Sequence, residues 1–216
     1  MKLQITSDHS HTLFSTKAQQ TYHSAEGAIM ESGHVYIAPT FTHFQDKEEI
    51  KILEIGFGTG LNALLTLHAA EKASKVIHYE TIEPDPIPEK LYTQLNYPDQ
   101  LHIDPSLFLK LHQMPFGQTF DLPHFHFIKQ NTTIGEYSSG ESFDAIYYDA
   151  FSPDAQPEMW TSELFGKMYQ LLSPNGILLT YSAKGMVKKA LRAAGFQVKR
   201  LPGAGSKHHM LKAIKQ

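Results

Sequence analysis

Short apolar runs recur along the 216-residue chain, and most are followed by a turn and a segment with helical spacing. The runs lie at 50–55, 76–82, 125–130, 143–148 and 175–180. Helical spacing is clearest at about 61–73, and it recurs through Met159, Leu164, Met168 and Leu171. This alternation predicts a parallel sheet that helices cover on both faces.

The two ends of the chain depart from this alternation. FQVKRLPGAGSKHHMLKAI has the pattern of two strands joined through PGAG, which predicts an antiparallel final pair. TLFS, TYHS and HVYI are short β-like pieces around Gly27 and Gly33, so we expect a small N-terminal sheet. We therefore predict one compact unit, with a β-rich extension at 1–49 and the main α/β domain at 50–216.

Composition narrows the class of protein. An apolar fraction of 41% argues against disorder, and the absence of cysteine excludes disulfides and thiolate metal sites. The N-terminus lacks the apolar core of a signal peptide, and no run of about eighteen apolar residues occurs, so we expect a soluble cytoplasmic protein that does not contact a membrane. Three histidine pairs lack further ligands at recognised spacing, so we predict no metal site: His9 with His11, His124 with His126, and His208 with His209.

Charge is distributed unevenly along the chain. The net charge is −3, yet residues 164–216 hold ten Lys and Arg residues and no Asp or Glu. Such a segment can face a polyanion, and it can equally form a solvated helix face and a basic strand. Composition alone leaves both interpretations open.

The glycine turn in LEIGFGTGLNALL joins the first buried strand to its helix. Gly56, Gly58 and Gly60 have no side chains, so a ligand can touch the backbone there, and the helix N-terminus that follows offers free N–H groups. A dinucleotide site would place its third glycine at Leu61. The observed spacing, with Glu54 just before it, instead matches the pattern of S-adenosylmethionine-dependent methyltransferases. A purely structural turn is the alternative.

Two acidic residues follow strands of the predicted sheet. Glu83 stands 23 residues beyond Gly60, where a carboxylate can accept both hydroxyls of a ribose or simply favour the dipole of the next helix. Asp149 ends the fourth strand, beside Phe151. In methyl transfer to an amine, this carboxylate can orient the amine, stabilise the growing ammonium charge or accept the proton. The structural alternatives are a turn hydrogen bond for Asp149 and core packing for Phe151.

Four motifs in order resemble the methyltransferase part of the bifunctional bacterial tRNA-modification enzyme MnmC and its stand-alone form MnmD: LEIGFGTGLNALL, DAFSPDAQPEMWTSELF, TYSAKGMVKKALRAAGF and GAGSKHHML. TLFS and TYHSAEGAIMESGHVYI are similar to that family's opening segment. The resemblance implies a Rossmann-like class I S-adenosylmethionine-dependent methyltransferase, with a mostly parallel seven-stranded sheet and an antiparallel last strand. It also implies methyl transfer to the aminomethyl nitrogen of the wobble uridine in certain tRNAs, giving 5-methylaminomethyl-2-thiouridine.

The resemblance assigns residues to roles as well. Asp149 is the implied catalytic acid, with Phe151 nearby. Where many family members have Gly-Asp after the third strand, this sequence has Lys129-Gln130, so the adenine contact is expected to fall to Gln130. The expected cofactor-binding residues are Glu54, Gly56, Gly58, Gly60, Asn62, Glu83, Gln130 and Asp149.

If the substrate is tRNA, the basic residues are expected to contact its phosphates. The affinity for tRNA should then fall as the salt concentration rises. The predicted RNA-binding residues are Lys184, Lys188, Lys189, Arg192 and Lys207, with Lys199 and Arg200 in the same segment. The second part of MnmC is a flavin-dependent oxidase, for which this chain has neither the length nor a second dinucleotide motif. We therefore expect the methylation step alone, with a separate oxidase acting upstream. A small-molecule amine methyltransferase and a non-catalytic RNA- or adenosine-ligand-binding module are the alternatives.

Overall fold

The computed structural model describes residues 1–216, which form eleven strands and eight α-helices. The strands are β1 (Lys2–Ile5), β2 (His11–Ser15), β3 (Gln20–Thr21), β4 (Glu49–Ile55), β5 (Val76–Ile82), β6 (Thr119–Leu122), β7 (Phe125–Gln130), β8 (Phe143–Tyr148), β9 (Leu172–Thr180), β10 (Gln197–Pro202) and β11 (His209–Ile214). The helices are α1 (Ala28–Ser32), α2 (Ala38–His43), α3 (Leu61–Ala73), α4 (Glu89–Tyr92), α5 (Tyr97–Leu101), α6 (Pro105–Gln113), α7 (Ser162–Leu171) and α8 (Gly185–Ala193). A π-helical turn at Gly33–Ile37 joins α1 to α2, and a 3-10 turn at Pro157–Trp160 precedes α7.

Eight strands form one sheet in the order β10-β11-β9-β8-β4-β5-β7-β6. The five central strands from β9 to β7 run parallel, and β11 inserts antiparallel between β9 and β10. This topology confirms the predicted Rossmann-like sheet and its antiparallel last strand. The sheet has one strand more than the seven expected, because β6 pairs antiparallel with β7. No residue of β6 is buried, so it lacks the apolar run that marks the other strands.

Helices cover both faces of this sheet, which explains the apolar runs of its central strands. One cluster of 29 buried residues surrounds α3, and a second cluster of 20 lies on the other face with α7 and α8. All six residues of β8 are buried, as expected for a parallel strand with helices on both sides. None of the helices combines the length and the apolar character that crossing a lipid bilayer requires.

The N-terminal segment is only partly the β-rich extension that the sequence predicts. β1, β2 and β3 form a three-stranded antiparallel sheet, and TLFS lies on β2. HVYI, however, lies in the π-helical turn, so the prediction of a strand there was wrong. Packing overrides the local preference, because Val35 and Tyr36 are each 1% exposed and join the same apolar cluster as α3.

Candidate active site

A cavity of about 620 Å³ opens at the carboxyl ends of β4, β5 and β8. Residues of the glycine turn after β4, Glu83 after β5, and Asp149 and Phe151 after β8 all line it. Ligands of open α/β sheets bind at this edge, because the carboxyl ends of parallel strands meet there. The fold therefore brings together residues that lie far apart in the chain.

The glycine turn, residues 56–60, has left-handed backbone at every glycine. The φ angles of Gly56, Gly58 and Gly60 are 92°, 48° and 75°. A Cβ added at Gly56 would lie 3.2 Å from the Asp149 carbonyl oxygen, and one at Gly58 would lie 3.0 Å from the Tyr22 ring. Gly56 and Gly58 line the cavity, whereas Gly60 caps the N-terminus of α3 and is not part of the lining. The first two glycines are therefore the ones that a ligand can meet.

The Glu83 side chain is held by backbone N–H groups. Its Oε2 accepts a hydrogen bond from the Gly58 N–H at 2.9 Å, and its Oε1 accepts one from the Asp85 N–H at 2.8 Å. Burial raises the pKa of this carboxyl, and the two N–H donors oppose that rise. Because each carboxylate oxygen has a further lone pair, Glu83 can still accept two hydroxyl groups from a vicinal diol.

Each oxygen of the Asp149 carboxylate accepts a hydrogen bond from a different side chain. The Tyr36 hydroxyl donates to its Oδ1 at 2.7 Å, and the Asn62 side-chain amide donates to its Oδ2 at 2.9 Å. Burial raises the pKa of Asp149 from 3.8 to about 6, although both donors favour the ionised form. The carboxylate is therefore fixed in the cavity wall with a proton affinity suited to accepting a proton near neutral pH.

Residues 15–23 of the N-terminal segment form the roof of this cavity. The Tyr22 ring meets the Phe151 ring edge-on, with centroids 4.9 Å apart. The Ser152 hydroxyl donates to the Gln20 side-chain oxygen at 2.7 Å, which ties the roof to the loop after β8. The roof therefore covers the glycine turn and contacts the segment that carries Phe151.

Two predicted cofactor-binding residues besides Gly60 lie outside the cavity lining. Glu54 is fully buried behind it, and its Oε2 accepts a hydrogen bond from the Thr81 hydroxyl at 2.8 Å. The Gln130 amide donates instead to Glu80 Oε1 at 3.1 Å. The residues after β7 that line the cavity are Thr132, Thr133 and Ile134. The expected adenine contact through Gln130 is therefore not supported by the geometry.

Lys129 stands where many family members have the glycine of Gly-Asp, and its surroundings show what the lysine does there. It is 3% exposed, and its ammonium donates to the carbonyl oxygens of Leu111 at 3.3 Å and His112 at 2.6 Å. Burial lowers the pKa of Lys129 to about 8. These carbonyls lie at the C-terminal end of α6, where a cation is favoured, so Lys129 has a packing role.

Three of the predicted RNA-binding residues, Lys188, Lys189 and Arg192, lie on α8. None of them takes part in an ion pair of the structure. Lys184, just before this helix, pairs with Asp154 in the loop after β8. The α8 surface therefore carries basic groups that protein acids do not neutralise.

Lys207 lies in a different setting. Its ammonium pairs with the buried Glu31 and stands 5.1 Å from the centre of the Tyr181 ring, which lines the cavity. The neighbouring Ser206 N–H donates to Glu26 at 2.8 Å. Lys207 thus joins the C-terminal hairpin to the N-terminal segment, and its ammonium already has a carboxylate partner within the protein.

The tyrosines of the site were missed by the sequence predictions. Tyr22 and Tyr36 come from the opening segment, and Tyr181 follows β9, with its hydroxyl donating to the Ala150 carbonyl at 2.9 Å. Each lies within a stretch that resembles the family, but no spacing rule relates any of them to Asp149. The structure brings together no group of three His, Asp or Glu side chains that could hold a metal ion.

The order of the strands, the glycine turn and the two acidic residues Glu83 and Asp149 together define a Rossmann-like methyltransferase fold. Comparison with solved structures agrees with this class. MNMC2 from Aquifex aeolicus superposes with a TM-score of 0.83 at 22% identity, covering 100% of this chain and 70% of that one. Spermidine synthase from Thermotoga maritima superposes with a TM-score of 0.55 at 16% identity, covering 96% of this chain and 69% of that one.

Sequence comparison points to the same class of enzyme. A family model described as S-adenosyl-L-methionine-dependent methyltransferase matches residues 110–216 of the chain. The chain is also similar to two proteins named tRNA 5-methylaminomethyl-2-thiouridine biosynthesis bifunctional protein MnmC. The one from Pseudoalteromonas atlantica is 30% identical over 229 residues, covering 94% of this chain and 32% of the relative. The one from Cupriavidus metallidurans is 29% identical over 220 residues, covering 92% and 32%. The chain thus spans about a third of the length of these relatives.

Proposed function

We propose that this protein is an S-adenosylmethionine-dependent N-methyltransferase. Its proposed substrate is 5-aminomethyl-2-thiouridine at the wobble position of tRNA, and its product is 5-methylaminomethyl-2-thiouridine. The names of the curated relatives, which describe biosynthesis of this nucleoside, support the choice of substrate. The observation that carries the proposal is the clamped Asp149 carboxylate in the same cavity as the glycine turn and Glu83. In this proposal residues 50–216 are the methyltransferase domain, and residues 1–49 are an extension that closes its cavity.

The cavity suits S-adenosylmethionine in size and in chemistry. Its volume of about 620 Å³ lies within the range of about 300–1,000 Å³ that is usual for small-molecule sites. Glu83 offers acceptors for the two ribose hydroxyls, and Gly56 and Gly58 line the cavity without side chains that would narrow it. When bound, this cofactor supplies a methyl group activated by its sulfonium.

Asp149 serves the acceptor amine in this proposal. The amine must be neutral for its lone pair to form the new N–C bond, while the S–C bond breaks and leaves its electron pair on sulfur. With a pKa of about 6, Asp149 is ionised at neutral pH, so it can orient the amine through an N–H group and take up the proton that is released. Phe151 and Tyr22 offer an aromatic surface beside it for a pyrimidine ring.

The proposed RNA interface is the basic surface of α8 and β10. Lys199 and Arg200 are exposed on β10, which is an edge strand. Lys199 stands directly opposite Lys212 in the pairing of β10 with β11. The pKa of Lys212 is lowered, first by burial and then by the positive charge of Lys199. Like charges held side by side favour a polyanionic partner such as the tRNA backbone.

Transfer of label from S-adenosylmethionine to tRNA tests this function. With tRNA that carries 5-aminomethyl-2-thiouridine, we expect labelled 5-methylaminomethyl-2-thiouridine on nucleoside analysis by mass spectrometry. Transcript tRNA without the modification is the control and should stay unlabelled. Equal rates on the free nucleoside would favour the small-molecule alternative. Folded protein that binds the cofactor but labels no modified tRNA would reject the proposal.

A further inference from the structure

A second acid, Glu54, lies directly behind the wall of the cavity. It is 0% exposed, and only its Oε2 has a donor, the Thr81 hydroxyl at 2.8 Å. Its Oε1 is buried with no hydrogen-bond partner. A carboxylate ion with so few donors would be costly to bury, so its protonation state requires an explanation.

Asn62 connects Glu54 to Asp149. Its amide nitrogen donates to Asp149 Oδ2 at 2.9 Å, and its amide oxygen is buried with no hydrogen-bond partner. Asn62 and Tyr79 lie near Glu54, and after Thr81 both act on its pKa as hydrogen-bonding groups that favour the ionised form against the larger effect of burial. Two acceptors on neighbouring side chains, Glu54 Oε1 and Asn62 Oδ1, therefore lack a donor. The Tyr79 hydroxyl is also buried without a partner, and a bond from it to an ionised Glu54 would leave Asn62 Oδ1 unsatisfied. A proton on Glu54 Oε1 can be donated to Asn62 Oδ1, and the same oxygen can still accept from Tyr79.

We propose that Glu54 is a positioning residue that carries a proton, donates it in a hydrogen bond to Asn62 Oδ1, and so keeps the Asn62 amide nitrogen turned toward Asp149. The consequence for catalysis rests on the proposed function, because it assumes that Asp149 serves the amine. An ionised Glu54 would attract the amide nitrogen instead, and the reversed amide would place its oxygen against the Asp149 carboxylate. Protonated Glu54 thus selects the amide orientation that supports an ionised Asp149.

The electrostatics of the pair agree with this arrangement. Burial raises the pKa of Glu54 from 4.5 to about 8, and the charge of Asp149 adds to the rise, whereas the pKa of Asp149 is about 6. Between these values the pair holds one negative charge, and that charge lies on Asp149. Burial raises the pKa of every tyrosine nearby, so these phenols stay neutral in this range. The other titratable groups that face the two acids are Tyr36, Tyr79, Tyr147, Tyr181, Glu31 and Lys207.

Glu54→Gln tests the proposal, because a glutamine amide can donate to Asn62 Oδ1 but has no proton that titrates in this range. Infrared difference spectra of the wild-type protein between about pH 7.5 and about pH 9.5, where Asp149 is already ionised, should show the loss of a protonated carboxyl band, and the variant should lack this band. Its kcat at about pH 7 should stay within about threefold of wild type, and the decline of wild-type kcat above about pH 8 should disappear. Glu54→Ala, which cannot donate, should lower kcat at least about tenfold.

Glu80→Gln is the matched control, because Glu80 lies next to Thr81 in β5 and bonds to Gln130 rather than to Glu54. It should leave the infrared band and the pH profile unchanged. Thr81→Val removes a donor that favours the ionised form, so it should move the band to higher pH, which keeps the test decisive if Glu54→Gln does not fold. Absence of a protonated carboxyl at about pH 7, or an unmoved band in Thr81→Val, overturns the proposal. A band that behaves as expected in a protein that methylates no tRNA would support the proton on Glu54 and reject the proposed function.

Discussion

Asp149 opposes the stability of the fold in which it lies. Its pKa is raised from 3.8 to about 6, so between those pH values the folded chain binds a proton that the unfolded chain has released. The free energy of unfolding therefore falls as pH rises through this window. Above it, the ionised carboxylate costs the folded state on the order of 3 kcal/mol. A residue that destabilises the fold in this way fits a role in chemistry better than one in packing.

We predict that Asp149→Asn stabilises the protein and removes most of its activity. The amide is uncharged, and it can still accept from Asn62 while its nitrogen bonds to the Tyr36 oxygen. The melting temperature should rise by about 5 °C at about pH 7.5 and change little near pH 4, where Asp149 of the folded wild-type protein is already almost fully protonated. Methyl transfer should fall at least about 100-fold, with the Kd of the cofactor within about threefold. Calorimetry and single-turnover labelling measure these quantities. A cofactor affinity that falls as far as the rate would show that Asp149 binds the cofactor rather than serves the amine.

Among the elements, the glycine turn and the roof depend on one another. Tyr22 occupies the space above Gly58 that a side chain would otherwise fill, and its ring also contacts Phe151. Burial raises the pKa of Tyr22, and the nearby Glu83 charge adds to this rise, so the ring lies close to the proposed ribose site. A cofactor on the glycine turn is therefore covered by the N-terminal segment.

We predict that Tyr22→Ala weakens cofactor binding at least about tenfold, because it removes an aromatic surface of the cavity. Tyr22→Phe keeps the ring and should bind within about threefold of wild type. Isothermal titration with S-adenosylmethionine measures both. Ile5→Ala is the control on the same small sheet, since Ile5 is 71% exposed and does not line the cavity. Equal affinities for Tyr22→Ala and Ile5→Ala would mean that the roof does not hold the cofactor.

The elements also show what a sequence can predict here. The strands and the glycine turn carry local signals, because burial on both faces demands apolar runs and left-handed backbone favours glycine. Contacts between distant segments carry no such signal. HVYI has β-forming residues, yet packing against α3 makes it helical and sends Tyr36 to Asp149. Likewise, Gln130 ends the expected strand but bonds to Glu80, which no spacing rule indicates.

Over the whole molecule, acidic and basic groups are separated. Four carboxylates line the cavity, and Lys17 is the only Lys or Arg residue in its lining. The carboxylates belong to Glu83, Asp85, Asp149 and Glu158. Of the ten basic residues in 164–216, six lie instead on α8 and on the last two strands. This arrangement favours a cationic amine inside the cavity and keeps phosphates outside it, so a net charge of −3 is compatible with tRNA as a partner.

We predict that reversing charge on α8 weakens tRNA binding without affecting the chemistry. In Lys189→Glu with Arg192→Glu, the KM for tRNA should rise at least about tenfold, and the slope of log affinity against log salt should fall by about 2. Neither residue lines the cavity, so kcat at saturating tRNA and the cofactor Kd should be unchanged. Lys72→Glu is the control, because Lys72 is exposed on α3, which covers the opposite face of the sheet. If the double variant keeps the wild-type salt dependence, then α8 does not bind RNA and its basic residues form only a solvated surface.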